Sequence, residues 1–155
     1  MIVARICKRA FAGQSLSGLG AMRHPGRWHS IGTPMAYTAS TASLALLELL
    51  AHVDRRNVPD DIVLLTFEID DRLVARPKRL PARWHETPYQ TSAQKFGDRW
   101  ALLGASGQAS LGLIVPSALL RSEANVLINP RHPEFAAGIK LIRREPIAID
   151  ARLIG

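Results

Sequence analysis

Residues 26–50 read GRWHSIGTPMAYTASTASLALLELL, and the change of pattern inside this stretch predicts a strand that leads directly into a helix. Met35 to Ala39 is a short run of the kind that forms a strand. Ser40 or Thr41 can then cap a helix that continues to about Val53, because hydroxyl side chains accept the free amide hydrogens of a first helical turn. The strand and the helix are therefore expected to follow each other without a long loop.

The rest of the chain contains more predicted strands than helices, and the two types do not alternate strictly. The further strands are predicted at Ile2–Ile6, Ile62–Ile69, Leu111–Val115, Asn125–Ile128, Ile139–Arg143 and Ile147–Asp150. A second helix is predicted over Ser92–Leu103, although Gly97 weakens it. Residues 12–33 are glycine-rich and predict a long loop, and residues 76–91, with several prolines, predict irregular surface structure. The pattern favours an α+β domain, with a mixed sheet core and flanking helices, over a doubly wound parallel sheet.

Length and composition describe an ordinary globular protein. The chain has 155 residues, of which 47% are hydrophobic and 21% charged, and it is expected to form one domain over residues 1–155. Cys7 is the single cysteine, which excludes an internal disulfide framework and favours a reducing compartment. The histidines lack the paired spacing of metal ligands, so no metal is predicted. The sequence has neither a signal peptide nor an apolar run of the roughly 18 residues that span a bilayer, so a cytoplasmic protein without a membrane segment is expected.

The chain is strongly basic, with a net charge of +7, and this charge indicates an anionic partner. Nucleic acid, a phosphorylated small molecule and an acidic protein all fit. The basic residues are scattered, and the sequence contains neither a basic helix nor an aromatic RNA-binding motif. Direct nucleic-acid binding is therefore supported by the charge alone and remains the more distant alternative.

Three residues of the 26–50 stretch combine into a candidate nucleotide site. Arg27 carries a planar guanidinium that can bind a pyrophosphate, and Tyr37 offers a ring that can stack on a flat base. Glu48 lies in an otherwise apolar run, where a carboxylate can stabilise the positive charge that grows on a sugar ring as its glycosidic bond breaks. Each residue also has a structural alternative: a surface ion pair for Arg27, a core ring for Tyr37 and a solvated or paired carboxylate for Glu48.

The predicted helix places Glu48 on one face with Leu44 and His52, four positions to either side. The opposite stripe is expected to provide the contact with the core, and it consists of Leu46, Leu47, Leu50 and Val53. Glu48 is thus expected at the edge of a pocket.

The sequence resembles the RES-domain family, the toxin components of a class of bacterial toxin–antitoxin pairs, named for an Arg, a Glu and a Ser. The resemblance runs through residues 26–50, through Gly97-Asp98-Arg99-Trp100 and through SLGLIVPSALLRSEANVLINPRHPEF at residues 110–135. The family residues map to Arg27, Glu48 and Ser117, and Tyr37 matches an aromatic position of the same site. The family pattern often has Asn after Arg-Trp, where this chain has His29, a departure expected to alter only the local loop.

The resemblance implies a fold similar to that of ADP-ribosyltransferases, with NAD as a consumed substrate and not as a cofactor. It implies a toxin that cleaves NAD by hydrolysis or phosphorolysis and arrests growth; the alternative is transfer of ADP-ribose to a cellular protein. The implied roles are charge stabilisation by Glu48, pyrophosphate binding by Arg27 and stacking on nicotinamide by Tyr37. Ser117 is expected to bond NAD or to orient Glu48, with a helix cap as its alternative, and Ser43 is a rival site hydroxyl.

The resemblance also implies a cognate antitoxin, for which the positive charge suits an acidic partner. A homodimer of the toxin within the toxin–antitoxin complex also fits the resemblance. The segment NVLINPRHP, residues 125–133, is shared with the family and is expected to be scaffold.

Overall fold

One sheet of seven strands organises the computed structural model, which describes residues 1–54 and 59–153. The strands are β1 (Ile2–Lys8), β2 (Ala36–Ala39), β3 (Ile62–Ile69), β4 (Val74–Ala75), β5 (Gly112–Pro116), β6 (Ala124–Ile128) and β7 (Ile139–Ile147). Their order in the sheet is β4-β5-β6-β2-β1-β3-β7, and the β4–β5 pair is parallel whereas the other pairs are antiparallel. The sheet is therefore mixed, and the predicted α+β class is confirmed.

The helices flank this sheet. They are α1 (Leu19–Arg23), α2 (Ala42–His52), α3 (Thr91–Ala105) and α4 (Phe135–Gly138), with 3-10 turns at Arg9–Gln14, Asp71–Leu73 and Ala151–Leu153. The part of the chain that the structure describes contains no helix with the length and apolar character needed to cross a membrane.

The predicted junction between a strand and a helix is confirmed. β2 ends at Ala39, and α2 begins two residues after Ser40, with Thr41 as its N-cap. The Thr41 hydroxyl accepts a hydrogen bond from the Leu44 amide at 3.1 Å, which satisfies one of the free donors of the first turn. The two elements are thus joined by a tight connection that fixes the direction in which α2 leaves the sheet.

The prediction of which face of α2 contacts the core is wrong. Leu44 and Ala45 are buried, whereas Leu47 of the predicted stripe is 45% exposed. The helix packs through Leu44 and Ala45 against Ala4 and Ala39 of the two central strands. Small residues on both surfaces let the helix lie close to the sheet, and the face that carries Leu44 and Ala45 also turns Glu48 inward.

Two further predictions differ from the structure. The C-terminal segment was expected to form separate strands at 139–143 and 147–150, but β7 is continuous from Ile139 to Ile147. β7 tolerates Pro146 because it is an edge strand. The open side of an edge strand has no neighbouring strand that would need an amide hydrogen from the proline. The predicted loop over residues 12–33 contains the end of a 3-10 turn and the short helix α1, which are too brief to show a hydrophobic period.

Gly97 occupies the point at which α3 meets the segment that contains Arg27. A Cβ atom at Gly97 would lie 1.8 Å from the Trp28 carbonyl oxygen and 2.8 Å from its carbonyl carbon. The backbone of Trp28 therefore rests directly on the helix. Gly97 lowers the helix propensity of α3, but the close packing against Trp28 requires a glycine at this position.

We expect Gly97→Ala to lower the free energy of unfolding by about 1–3 kcal/mol, because the added methyl group forces the helix and the Trp28 backbone apart. Chemical denaturation measures the change. Gly20→Ala is the matched control, since a Cβ at that helical glycine meets no atom within 4 Å apart from its chain neighbours and its own helix backbone. Equal stability of the two variants would contradict the close packing at Gly97.

Candidate active site

A cavity of about 790 Å³ opens where β1 and β2 separate. The two strands pair at Ala4 and Ala39, whereas β1 pairs with β3 along its whole length. Residues from both β1 and β2 line the cavity, together with α2, residues 25–28 and residues 87–89. Its volume lies in the usual range of about 300–1,000 Å³ for small-molecule sites.

Glu48 projects from α2 into this cavity, and two side chains hold its carboxylate. Ser117 Oγ donates a hydrogen bond to Glu48 Oε1 at 2.9 Å, and Asn125 Nδ2 donates to the same oxygen at 2.6 Å. Within residues 1–54 and 59–153, Oε2 has no hydrogen-bond donor. One oxygen of the carboxylate is thus fixed by the protein, and the other is available to a ligand.

The side chain of Ser117 contacts both Glu48 and the turn that follows β5. Its side chain is fully buried behind Glu48, and its Oγ accepts hydrogen bonds from the amides of Leu119 and Leu120 at 3.1 and 3.3 Å. A hydroxyl has a single hydrogen, and here that hydrogen points to Glu48. Ser117 therefore caps the turn after β5 and orients the carboxylate, and it does not line the cavity surface.

Asn125 is the site residue that the sequence did not reveal. It was expected to belong to a scaffold segment, yet it lines the cavity and donates the shortest hydrogen bond to Glu48. Asn129 and His132 of the same segment are structural: Asn129 donates to the Ala101 carbonyl, and His132 bonds the Ala109 carbonyl. The sequence did contain one signal of this role, a side-chain amide within a predicted strand. A half-buried amide needs hydrogen-bond partners, but the sequence does not show which residues provide them.

Tyr37 lies on β2 with its ring half-buried in the cavity wall, and its hydroxyl is bonded on both sides. The Trp28 amide donates to this hydroxyl at 3.2 Å, and His29 Nδ1 lies 2.7 Å from it. His29 Nε2 bonds the His24 carbonyl, which can only accept, so Nε2 carries the hydrogen. In neutral His29, Nδ1 is therefore the acceptor and the Tyr37 hydroxyl is the donor.

His29 thus does more than alter the local loop. Burial lowers the pKa of His29 and raises that of Tyr37, so both groups stay neutral around pH 7. Gly26 completes the arrangement, because a Cβ there would lie 2.4 Å from His29 Cε1 and 2.9 Å from the Tyr37 hydroxyl. The hydroxyl end of Tyr37 is therefore held in place by Trp28 and His29, with Gly26 packed closely against it.

Arg27 enters the cavity from the loop before β2. Its Nη1 donates to the carbonyl oxygens of Trp84 and Glu86, both at 2.8 Å, and its guanidinium lies 5.1 Å from the centre of the Tyr89 ring. These contacts fix the plane of the guanidinium. The remaining hydrogens of the fork are left for an anion.

Helix α3 holds the Arg27 loop in place. Gln94 donates a hydrogen bond to the Gly26 carbonyl at 3.0 Å, and Asp98 accepts one from the Ser30 amide at 2.9 Å. The Trp28 ring is buried and stacks on Trp84, with 5.6 Å between the ring centres. The residues between the two tethers, including Arg27, are therefore supported by a rigid element.

The structure brings three of the five predicted site residues to one cavity and places a fourth behind it. Arg27, Tyr37 and Glu48 line the cavity, and Ser117 bonds Glu48 from outside it. Ser43 has an exposed side chain and is not among the cavity residues. The arrangement supplies a fixed guanidinium, a fixed aromatic ring and an oriented carboxylate.

Comparison with known proteins gives one consistent result. Residues 2–150 match the RES domain family. The chain is 34% identical to "Toxin Res" of Photorhabdus laumondii, with 99% of this chain and 97% of the relative covered, and 33% identical to "Toxin Res" of Yersinia enterocolitica, with 99% of each covered. It is 35% identical to "Prs ADP-ribosylating toxin" of a Sphingobium species, over 94% of this chain and 91% of the relative.

The lowered pKa of His29 predicts that the protein loses stability in weak acid. Above its ordinary pKa of 6.5, His29 is neutral in both states. As the pH falls below that value, the unfolded chain takes up the proton before the folded protein does, so unfolding becomes easier. We expect the unfolding midpoint to fall between pH 7.5 and about 5.5, and to fall less steeply in His29→Asn. His24→Asn, at an exposed side chain, is the control and should follow the unmodified protein; identical slopes in all three would contradict the assignment.

Proposed function

The chain belongs to the RES domain family, and on that premise we propose that it is a toxin that cleaves NAD at the bond between nicotinamide and ribose. The observation that carries the proposal is the carboxylate of Glu48, which is bonded at one oxygen by Ser117 and Asn125 and belongs to a residue that lines the cavity. A guanidinium and an aromatic ring line the same cavity. A dinucleotide such as NAD has a pyrophosphate for the first and a flat ring for the second.

The proposed reaction breaks the bond between ribose C1′ and the nicotinamide ring nitrogen. The bonding electrons leave with nicotinamide, which becomes neutral, and positive charge develops on the ribose. The Glu48 carboxylate stabilises this charge, and its fixed orientation avoids reorganisation during the reaction. C1′ then bonds to an oxygen of water, which releases a proton, or to an oxygen of inorganic phosphate.

Arg27 and Tyr37 serve to orient the substrate in this proposal. Arg27 binds the pyrophosphate with the hydrogens that its carbonyl contacts leave free. Tyr37 stacks on the nicotinamide ring, and its bonded hydroxyl keeps the end of the tyrosine ring in one position. A stacking partner in a fixed position limits where the nicotinamide can lie, which favours bond cleavage over unproductive binding.

A second candidate function is transfer of ADP-ribose to a protein. The name of the Sphingobium relative, "Prs ADP-ribosylating toxin", favours it. The chemistry at Glu48 is the same, and only the acceptor differs. In this case a nucleophilic side chain of the target protein attacks C1′.

We also propose a cognate antitoxin as partner, since several relatives carry the name "Toxin Res". The net charge of +7 suits an acidic segment of that partner, and the cavity that contains Arg27 is the natural place for such a segment to inhibit. A homodimer of the chain is compatible with this assembly. The scattered basic residues give direct binding to nucleic acid little support.

We expect purified protein to release nicotinamide from NAD in catalytic amounts, and Glu48→Gln to reduce the turnover by ~100-fold or more, because the neutral amide cannot stabilise the developing charge. The assay measures nicotinamide with and without inorganic phosphate, and it follows labelled ADP-ribose into added cellular protein.

Glu134→Gln is the matched control, since it removes an exposed carboxylate that does not line the cavity. Phosphate-dependent release identifies phosphorolysis, and label on a protein with little loss of bulk NAD identifies the transferase. Absence of both activities in folded, antitoxin-free protein would overturn the proposal.

Asn125 is expected to act as a positioning residue through Glu48. Asn125→Asp replaces the donor with a second negative charge, so we expect kcat to fall by about 10- to 100-fold while KM stays nearly constant. Asn125→Leu removes the donor without adding charge and should cause a smaller loss. Steady-state kinetics and unfolding midpoints test this order. Asn125 would be only structural if kcat fell in proportion to the loss of stability. The same conclusion would follow if both variants lost kcat equally.

A further inference from the structure

We infer that Arg5 is a second anion-binding residue of the cavity, which contacts phosphate oxygens of the ligand. The identification of that ligand as NAD rests on the proposed function. Arg5 lies on β1 and has no role assigned above, yet it lines the same cavity as Arg27 and Glu48.

The Arg5 guanidinium is only partly satisfied by the protein. Nη1 donates a hydrogen bond to the Tyr37 carbonyl oxygen, whereas the buried Nε has no hydrogen-bond partner. Among the described residues no carboxylate forms an ion pair with Arg5. A partly buried positive charge therefore lines the cavity, with no paired carboxylate in the described part of the chain.

This arrangement is costly for the folded protein. Burial lowers the pKa of Arg5, because it removes water from the charged guanidinium. A neutral donor would satisfy the Tyr37 carbonyl equally well, so that hydrogen bond does not explain the charge. An anion bound beside the guanidinium would supply the missing countercharge.

The position of Arg5 explains why the charge lies here. In the register set by Ala4 and Ala39, Ile6 would lie opposite Tyr37 if the β1–β2 ladder continued. The strands separate instead, and the Arg5 side chain reaches the Tyr37 carbonyl. The guanidinium is thus built into the strand separation that forms the cavity.

Arg27 alone offers an incomplete site for a diphosphate. Its Nη1 already donates to the Trp84 and Glu86 carbonyls, so only part of its fork is free. A diphosphate has two anionic centres, and a second guanidinium from β1 matches this distribution of charge. Inorganic phosphate has the same chemistry, and the experiment separates the two sources.

The test compares the unmodified chain with Arg5→Gln and Arg5→Lys. Gln keeps a donor for the Tyr37 carbonyl and removes the charge, whereas Lys keeps the charge and loses the fork. Arg144→Met is the control, because it removes an exposed charge from the neighbouring region of the sheet. Calorimetry measures the Kd of ADP-ribose, of adenosine and of inorganic phosphate for each protein, and thermal unfolding checks the fold.

We expect Arg5→Gln to weaken ADP-ribose binding by about 10- to 100-fold and to leave adenosine binding unchanged, because only the former carries phosphate. Arg5→Lys should lose less affinity, and Arg144→Met should lose none. The unfolding midpoint of unliganded Arg5→Gln should not fall, since the variant removes an unpaired buried charge.

Unchanged ADP-ribose affinity in Arg5→Gln, or equal weakening for ADP-ribose and adenosine, would overturn the inference and leave the proposed function standing. If Arg5→Gln does not fold, Arg5→Lys decides by the same comparison of the two ligands. Phosphate binding that depends on Arg5, in a protein that binds neither NAD nor ADP-ribose, would support the anion site and refute the NAD proposal. If no phosphate compound binds, both fall.

Discussion

The separation of β1 from β2 is the constraint on which the site depends. The central strands meet at Ala4 and Ala39, where two small side chains allow α2 to lie close to the sheet. Beyond that point the strands diverge, and the cavity occupies the space between them. A fully paired sheet would be more regular, but it would close the cavity and exclude Arg5 and Tyr37 from a common surface.

Long-range hydrogen bonds then convert this opening into an organised site. The bonds from Ser117 and Asn125 to Glu48 join α2 to the turn after β5 and to β6, across 69 and 77 positions of sequence. The loop of Arg27 is tied to α3 in the same way, across 68 positions, by Gln94. The functional groups therefore come from elements that are far apart in sequence and are brought together by the fold.

Local patterns predicted much of this structure, and contacts between distant elements account for what they missed. The strand Ile62–Ile69 and the Thr41 cap follow from short runs of sequence, and the helical spacing around Glu48 predicted its place at a pocket edge. The prediction of the buried face of α2 was wrong because the helix has apolar residues on several sides. The small residues of the opposing sheet determine which side packs against it. Asn125 escaped notice because its role depends on a partner 77 positions away.

The crowding at Gly26 has a consequence for how this site can diverge between relatives. The absent side chain, the His29 imidazole and the Tyr37 hydroxyl occupy one small volume, so no member of this set can grow unless another shrinks. Substitutions at the three positions are consequently epistatic, and their order matters. Position 26 can accept a side chain only after a smaller residue has replaced His29 and the Tyr37 hydroxyl has been removed or displaced, because a Cβ at position 26 meets both.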